Sequence, residues 1–290
     1  MNSMQRPSTV FAGGGMLNEA QIQAYLARIA YTGPRAATLD VLTALHASHL
    51  QHIPFENLDI SLGRKLDLST PALLDKLLQQ QRGGFCYELN QAFSLLLQSF
   101  GFQTSLISAR VFNGKDYGPD FDHMLIQVLL DGQSWIADVG FGDSFRAPLN
   151  MNGQAITELG MHYQVQPEPG TACFRLRQGK DGKDGKDGKD MQPQFRFSLQ
   201  AFGIGDFEAM CLYQQTSPLS HFTQKTICSI ATPEGRISIS NNKCITTERG
   251  ERHVRTIHDA DEYRRLLQEH FGIHLAVDAN IQKLMARHPA

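Results

Sequence analysis

The chain contains the stretch Arg82-Gly83-Gly84-Phe85-Cys86-Tyr87-Glu88-Leu89-Asn90, from which its organisation can be worked out. The next ten residues, 91–100, have the apolar spacing of a buried helix, and Gly101 ends that helix. Cys86 therefore lies at a helix start, where free backbone N–H groups and the helix dipole predict a thiol pKa lowered toward neutrality. The two glycines are expected to let the backbone turn sharply and to leave the sulfur open to a substrate. A cysteine in this position is a candidate nucleophile.

Composition limits the classes of protein to which the chain can belong. Its 290 residues, 41% hydrophobic and 19% charged, are typical of a folded globular protein with a sizeable core. A net charge of -2 argues against a nucleic-acid partner. No segment approaches the roughly 20 apolar residues of a membrane span, and no signal peptide is evident, so we expect a cytoplasmic protein. Five cysteines without a Cys-x-x-Cys pair predict free thiols and no metal site.

Helices are predicted throughout the region before Cys86. Asn18 is a plausible cap for the first helix, and Thr38 can cap a second that ends before Pro54. Thr70 is the predicted cap of a third helix, with Pro71 at its first position. Residues 16–103 are therefore expected to be mainly helical.

The sequence beyond Gly101 changes to the alternation of β-strands, and this region brings a candidate base. Asp131-Gly132 predicts a two-residue hairpin turn after the apolar strand 124–130. A turn of that length sets Asp138 opposite Leu125 in the ladder. His123, two residues before Leu125, then points to the same face as Asp138 and lies within side-chain reach.

The pairing matters because neither residue is informative alone. Histidines are often structural, and the chain has 11 of them. Asp138, however, stands between apolar residues, and its burial would be costly without a cation or donor such as His123. With Cys86 these residues predict a catalytic triad: a thiolate and imidazolium pair, held by a carboxylate, that attacks a carbonyl and forms a thioester. Backbone N–H groups near the cysteine can stabilise the oxyanion.

Residues 82–90 resemble the active-site signature of the arylamine N-acetyltransferase family. The stretches Pro54-Phe55-Glu56-Asn57-Leu58, 207–224 and 232–236 also resemble that family, so the similarity runs from roughly Gln21 to Ile273. It implies an α+β fold with a papain-like or transglutaminase-like cysteine active-site core. Three regions are implied: a helical bundle (16–103), a β-barrel (104–215) and a C-terminal α/β lid (216–290).

The resemblance also implies roles for further residues. Glu56 would pair with Arg82 and clamp the loop beneath Cys86, because a buried guanidinium needs a carboxylate. Four aromatic residues would line the substrate pocket: Phe55, Tyr87, Phe141 and Phe222. The segment after Asp138 would shape the cleft for the acetyl group and cofactor, through Gly140, Gly142 and Ser144. A glycine-rich β-turn is the simpler interpretation of that segment, and the two are compatible.

The implied activity is acetyl transfer from acetyl-CoA to a small aromatic amine or hydrazine, by a ping-pong cycle through Cys86. The family pattern implies no metal, and we expect a monomer or a homodimer. Two alternatives remain open from the residues alone. One is a Cys-His-Asp acyltransferase with another donor or acceptor, such as a malonyl transferase, an amide synthase or a transglutaminase-like amidase. The other is a binding module without activity.

Two segments are not expected to contribute to the core, and the second of them departs from the family pattern. Residues 1–15 are polar and end in three glycines, so they are expected to form a flexible extension. Residues 179–190 repeat Gly-Lys-Asp four times, which is too polar to build a core and predicts a mobile loop between two strands.

Overall fold

In a computed structural model of the chain, residues 16–169, 173–180 and 191–286 are described. The predicted flexible extension, residues 1–15, lies outside the described residues. So do residues 181–190, the larger part of the Gly-Lys-Asp repeat.

The first region is helical, as predicted. Its elements are α1 (Glu19–Arg28), α2 (Leu39–His52), the two-residue strand β1 (Phe55–Glu56), α3 (Leu58–Ser61), α4 (Thr70–Leu74) and α5 (Cys86–Ser99). Asn18 caps α1 and Thr38 caps α2, because each side chain accepts a backbone N–H of the first turn. The predicted cap of α4 is wrong by one residue: Ser69 is the N-cap and Thr70 is already helical. Proline is tolerated one position further in because the first turn has no partners for its N–H groups.

The central region is an antiparallel sheet of eight described strands that curls into a nearly closed barrel. The strands are β2 (Gln103–Val111), β3 (His123–Leu130), β4 (Gln133–Ala137), β5 (Leu149–Asn150), β6 (Ile156–Glu158), β7 (Met161–Pro167), β8 (Cys173–Lys180) and β9 (Gln192–Phe202). Their order is β5-β4-β3-β2-β9-β8-β7-β6, and β5 approaches β7 across the opening. The inward residues form an apolar core that includes Phe145, Phe195 and Phe197.

The hairpin between β3 and β4 has the predicted register. Asp131 and Gly132 have φ angles of 50° and 74°, as a two-residue type I′ turn requires, and Leu130 pairs with Gln133. This pairing confirms the strand register from which we predicted that His123 and Asp138 point to the same face of the sheet.

The Gly-Lys-Asp tract begins inside a strand. Gly179 pairs with His162 and Lys180 with Met161 at the end of β8. The prediction that the loop starts at residue 179 is therefore wrong for these two residues. The reason is that ladder hydrogen bonds are made by the backbone and tolerate polar side chains at a strand end.

The C-terminal region combines helices with a second sheet. Its elements are α6 (Glu208–Thr216), α7 (His221–Gln224), β10 (Ile227–Thr232), β11 (Gly235–Ser240), β12 (Lys243–Glu248), β13 (Glu251–Thr256), α8 (Ala260–Phe271) and α9 (Ile281–Met285). Helix α8 is capped by Asp259 and ends at Gly272, whose φ of 65° is left-handed. It packs on the sheet through an apolar core that includes Ile239, Leu266 and Leu267.

The second sheet takes its edge strand from the helical region. Its order is β1-β10-β11-β12-β13, with Phe55 opposite Ser229 and Glu56 opposite Cys228. The α+β architecture of bundle, barrel and lid is thus confirmed, with the lid sheet completed by an N-terminal strand. Over the described residues, no helix has the length and apolar character of a membrane span.

Candidate active site

Cys86 is the first residue of α5, where the sequence predicts it. The backbone N–H of Phe85, just before it, donates to the Glu88 carboxylate at 3.1 Å, which fixes the start of the helix. Cys86 is 2% exposed and belongs to the main apolar core.

The surroundings of Cys86 shift the pKa of its thiol in the direction opposite to the prediction. Burial raises the pKa of its thiol well above the usual value, the Met124 backbone N–H lowers it, and the carboxylates of Asp138 and Asp122 raise it further. The expectation that the helix start alone lowers this pKa is therefore wrong. A thiolate here requires a neighbouring base that becomes positively charged.

His123 and Asp138 form a buried pair. His123 begins β3, Asp138 follows β4, and the His123 Nε2 lies 2.8 Å from the Asp138 Oδ2. The side chains are 3% and 0% exposed. Burial would raise the pKa of Asp138, but His123, the Asn90 amide and the Gly140 N–H outweigh burial and lower it. The carboxylate is thus held ionised beside the ring.

Asn90 was not among the predicted site residues. It lies one helical turn after Cys86, and its Nδ2 donates to the Asp138 Oδ1 at 2.9 Å. The same amide donates to the Met124 carbonyl, and its Oδ1 accepts the Val139 N–H at 2.9 Å. A polar residue four positions after Cys86, on the same face of an apolar helix, was the signal available in the sequence.

The segment after Asp138 closes directly on the cysteine. A Cβ at Gly140 would come within 2.7 Å of the Cys86 Cα, so only glycine fits there. Its N–H donates to the Asp138 Oδ1 at 2.9 Å. This packing brings the Asp138 strand end against the start of α5, and therefore brings the three predicted triad residues into one region.

The three predicted cofactor residues make contacts within the protein. Gly140 is packed on Cys86, and the Ser144 hydroxyl donates to the Gln194 Oε1 at 2.9 Å in a buried position. Gly142 has a φ of 88° and lies against the Phe55 ring. Gly140 and Ser144 therefore make packing contacts within the protein, and their assignment to the cofactor cleft, like that of Gly142, stays a prediction. Arg236 lies beside this segment, with its Nε 3.1 Å from the Asp143 carboxylate.

Three of the four predicted aromatic residues make ring contacts at or near the site. Phe55 and Phe222 have ring centroids 6.1 Å apart, and Phe141 meets the His123 ring edge-on at 5.1 Å. Phe141 and Phe222 are half-buried. Tyr87 is different: it has no exposed surface, and its hydroxyl donates to the Phe121 carbonyl at 2.7 Å. Tyr87 is therefore packed as a core residue, and its assignment to the substrate pocket stays a prediction.

The predicted partners Arg82 and Glu56 are in contact at 2.7 Å, with side chains 3% and 0% exposed. They belong to a larger buried cluster, the charge cluster, defined as Glu56, Asp59, Lys76, Arg82 and Glu88. Its further ion pairs are Arg82 to Asp59 at 3.1 Å, Lys76 to Asp59 at 2.9 Å and Lys76 to Glu88 at 2.7 Å. Because Glu88 also holds the Phe85 N–H, the cluster is anchored to the start of the cysteine helix.

Gly83 and Gly84 are required for close packing. A Cβ at Gly83 would lie 1.9 Å from the Pro54 carbonyl oxygen, and one at Gly84 would lie 2.8 Å from Glu88. Neither residue has a positive φ, so the predicted sharp turn is wrong. The glycines instead let the chain before Cys86 pair with β1, where the Glu56 N–H donates to the Gly84 carbonyl at 2.8 Å.

This arrangement suits nucleophilic chemistry. It provides a thiol at a helix start, a buried imidazole whose Nε2 faces a carboxylate, and half-buried aromatic rings beside them. Across the described ranges, no group of three or more His, Cys, Asp or Glu residues could hold a metal ion.

Comparisons with known proteins identify the family of the chain. A family model described as N-acetyltransferase matches residues 38–280. Arylamine N-acetyltransferase 2 of Mus musculus is 32% identical over 281 residues, covering 86% of this chain and 97% of the relative. Arylamine N-acetyltransferase 1 of Homo sapiens is 32% identical over 228 residues, covering 74% of this chain and 79% of the relative.

Solved structures show the same similarity. The arylamine N-acetyltransferase of Salmonella typhimurium superimposes with a TM-score of 0.82 at 27% identity, covering 93% of this chain and 97% of that one. The Mycobacterium marinum enzyme in complex with CoA gives 0.80 at 28% identity, covering 92% and 97%. The chain therefore belongs to the arylamine N-acetyltransferase family of acyltransferases.

Proposed function

We propose that the chain transfers the acetyl group of acetyl-CoA to arylamines and arylhydrazines by a ping-pong mechanism in which Cys86 carries the acetyl group. The observation that carries the proposal is the 2.8 Å pair of His123 and Asp138 on a strand end that packs against the Cys86 backbone. Family membership supports the acetyl group as the cargo.

In the first half-reaction His123 takes the thiol proton of Cys86. Its Nε2 faces Asp138, so Nδ1 is the nitrogen that serves the thiol. The thiolate attacks the thioester carbonyl of acetyl-CoA, and backbone N–H groups at the start of α5 stabilise the oxyanion. The bond between the carbonyl carbon and the CoA sulfur breaks. CoA leaves as a thiol with the proton from His123, and acetyl-Cys86 remains.

In the second half-reaction the amine of the acceptor attacks acetyl-Cys86. His123 accepts the proton that the amine loses and returns it to the Cys86 sulfur as the thioester bond breaks. The products are the N-acetyl amine and the free enzyme. Because the raised pKa of Cys86 opposes ionisation of the thiol alone, the Asp138 carboxylate supports both steps by stabilising the imidazolium.

The surroundings of the site support an aromatic acceptor and a phosphate-bearing donor. Phe55, Phe141 and Phe222 offer apolar ring surfaces beside the site, which favour a flat, apolar acceptor. Arg236 lies beside residues 140–144, and it would have to exchange its Asp143 carboxylate for a phosphate of CoA in order to bind one. The relative from Mycobacterium marinum was solved with CoA, which supports CoA as the carrier here.

The test is CoA release from acetyl-CoA, with and without an aromatic amine. Wild type without acceptor should release about one CoA per protein in a rapid burst, as a covalent intermediate requires, and turn over only when the amine is added. Cys86→Ala should lose the burst and at least about a thousandfold of the turnover rate while remaining folded.

The matched control is Cys211→Ala on α6, a second buried cysteine, which should keep the burst. CoA release that requires the amine from the first turnover would contradict the ping-pong mechanism. A burst with malonyl-CoA but not acetyl-CoA would contradict the donor assignment.

A further inference from the structure

His46 is a buried histidine with no part in the mechanism above. It lies within α2, has no exposed surface, and forms two hydrogen bonds to backbone groups distant in sequence. Its Nε2 accepts the Asp138 N–H at 3.1 Å, and its Nδ1 lies 2.8 Å from the Arg146 carbonyl oxygen. Because Nε2 must accept, Nδ1 carries the hydrogen and donates. The ring is thus a neutral imidazole of one tautomer, and burial lowers its pKa, which favours that form.

Aromatic packing fixes the plane of this ring. His46 stacks on Phe145 with ring centroids 5.9 Å apart and an interplanar angle of 10°. Phe93 of α5 meets it edge-on at 6.0 Å. Two hydrogen bonds and two ring contacts leave the imidazole little freedom to follow a moving partner.

The two hydrogen bonds hold the two ends of one segment, residues 138–146. That segment carries two of the groups that contact the His123 ring: Asp138 at its start and Phe141 within it. A third group, the Phe195 ring on β9, lies 5.6 Å from the His123 ring between centroids. The segment also carries Gly140, which packs on the Cys86 backbone. One imidazole on α2 therefore holds the segment that orients the proposed base.

We propose that His46 is a positioning residue for the acetyl-transfer reaction. It holds segment 138–146 in the geometry that orients His123 toward Cys86, and it touches no reacting atom. The inference rests on the proposed function of the triad.

The test uses three substitutions at one position. His46→Phe keeps a ring for stacking but loses both hydrogen bonds. His46→Asn is too short to reach the Asp138 N–H. His46→Gln keeps an acceptor for that N–H and a donor for the Arg146 carbonyl.

The measurement is the rate at which iodoacetamide alkylates Cys86 at pH 7, read from the Cys86 peptide by mass spectrometry, together with kcat and the KM for acetyl-CoA. His46→Phe should lower the alkylation rate and kcat by about tenfold, the change that a one-unit pKa shift of the thiol pair produces. The KM should change less than about twofold, because His46 contacts no substrate. His46→Asn should resemble His46→Phe, and His46→Gln should recover most of both rates.

His49→Phe is the matched control. His49 lies one turn further along α2, is equally buried, and pairs with the Tyr25 hydroxyl at 3.1 Å instead of segment 138–146. Its variant should keep the alkylation rate and kcat of folded protein. Equal losses in His46→Phe and His49→Phe, or wild-type rates in both His46→Phe and His46→Asn, would overturn the inference.

Alkylation needs neither donor nor acceptor, so it separates the two proposals. A His46-dependent alkylation rate in a protein that transfers no acetyl group would refute the proposed substrates and support the positioning role. Acetyl transfer at the wild-type rate in the His46 variants would support the proposed substrates and refute the positioning role.

Discussion

Asn90 links the cysteine helix directly to the acid of the proposed triad. Through one amide it contacts the Asp138 carboxylate, the Met124 carbonyl and the Val139 N–H. These partners belong to two different strands or strand ends, so a single side chain fixes their spacing relative to α5.

At this position we predict that Asn90→Ala lowers kcat by about tenfold to a hundredfold, because the carboxylate loses a donor and the Val139 N–H is left without its acceptor. Steady-state kinetics on protein shown to be folded would measure it. Ser94→Ala is the control, since Ser94 is buried one turn later on α5 and contacts Thr104 instead of the triad. An equal loss of kcat in the two variants would mean that Asn90 has only a structural role.

The Cys86 pKa shows where residue-level prediction stops. A helix start can be recognised in the sequence, and it is known to lower the pKa of a thiol placed there. Burial of Cys86 and the approach of Asp138 and Asp122 depend on contacts between distant segments. Here they raise the pKa of the thiol, which is opposite to the effect of the helix start. The same limit applies to Tyr87, whose neighbours in sequence do not reveal that its hydroxyl is held by Phe121.

Among the elements, α5 depends on the charge cluster at its start. Asp59 on α3 joins Lys76 and Arg82 within this cluster, at 2.9 Å and 3.1 Å. Burial raises the pKa of Asp59, but the two cations outweigh burial, so its pKa is lowered overall. A lowered carboxyl pKa stabilises the folded state above the unfolded pKa, and that contribution is lost as the pH falls through the folded pKa.

Asp59→Asn should therefore destabilise the protein by about 3 kcal/mol at pH 7, because two buried cations lose a counter-charge. The difference from wild type should be unchanged at pH 5 and smaller at pH 3, below the usual carboxyl pKa of about 3.9. Urea unfolding at the three pH values measures this. Asp116→Asn, in an exposed loop, should show little difference at any of them. A difference in unfolding free energy that grows as the pH falls would contradict the predicted pH dependence.

Elements with a local signal were predictable and those without one were not. Caps located α1 and α2, and the Asp131-Gly132 turn fixed the register that makes His123 face Asp138. Strand β1 has two residues, too few for any periodicity, and its partner β10 lies in another region of the sequence. The hydrogen bonds of His46 and Asn90 could not be predicted for the same reason, because they depend on how elements distant in sequence pack together.

For the whole molecule, β1 joins the helical region to the lid. Phe55 and Glu56 pair with β10 on one side and contact Gly84 on the other. The Asn57 amide adds bonds to the carbonyls of Phe222 and Lys225. Arg236 of the lid pairs with Asp143 beside the barrel.

We therefore expect the lid and the barrel to unfold in one transition. Trp135, the single tryptophan, reports on the barrel by fluorescence, while thiol labelling of the buried Cys228 and Cys244 reports on the lid. The midpoints in urea should coincide, as in a two-state transition. Labelling of both lid cysteines at clearly lower urea, with Trp135 fluorescence still native, would show that the lid opens independently.

The pairing of β1 with β10 also affects how the enzyme matures during synthesis. The Ile227 N–H donates to the Asn57 Oδ1 across 170 residues of chain. At a ribosomal rate of about 5–20 residues per second, roughly 10–35 s separate the two ends of that contact. Throughout that interval Phe55 and Glu56 have no sheet to join, although Cys86 is made early in it. A nascent chain therefore completes its active site only late in translation, and any truncation before β10 leaves the cysteine without its finished surroundings.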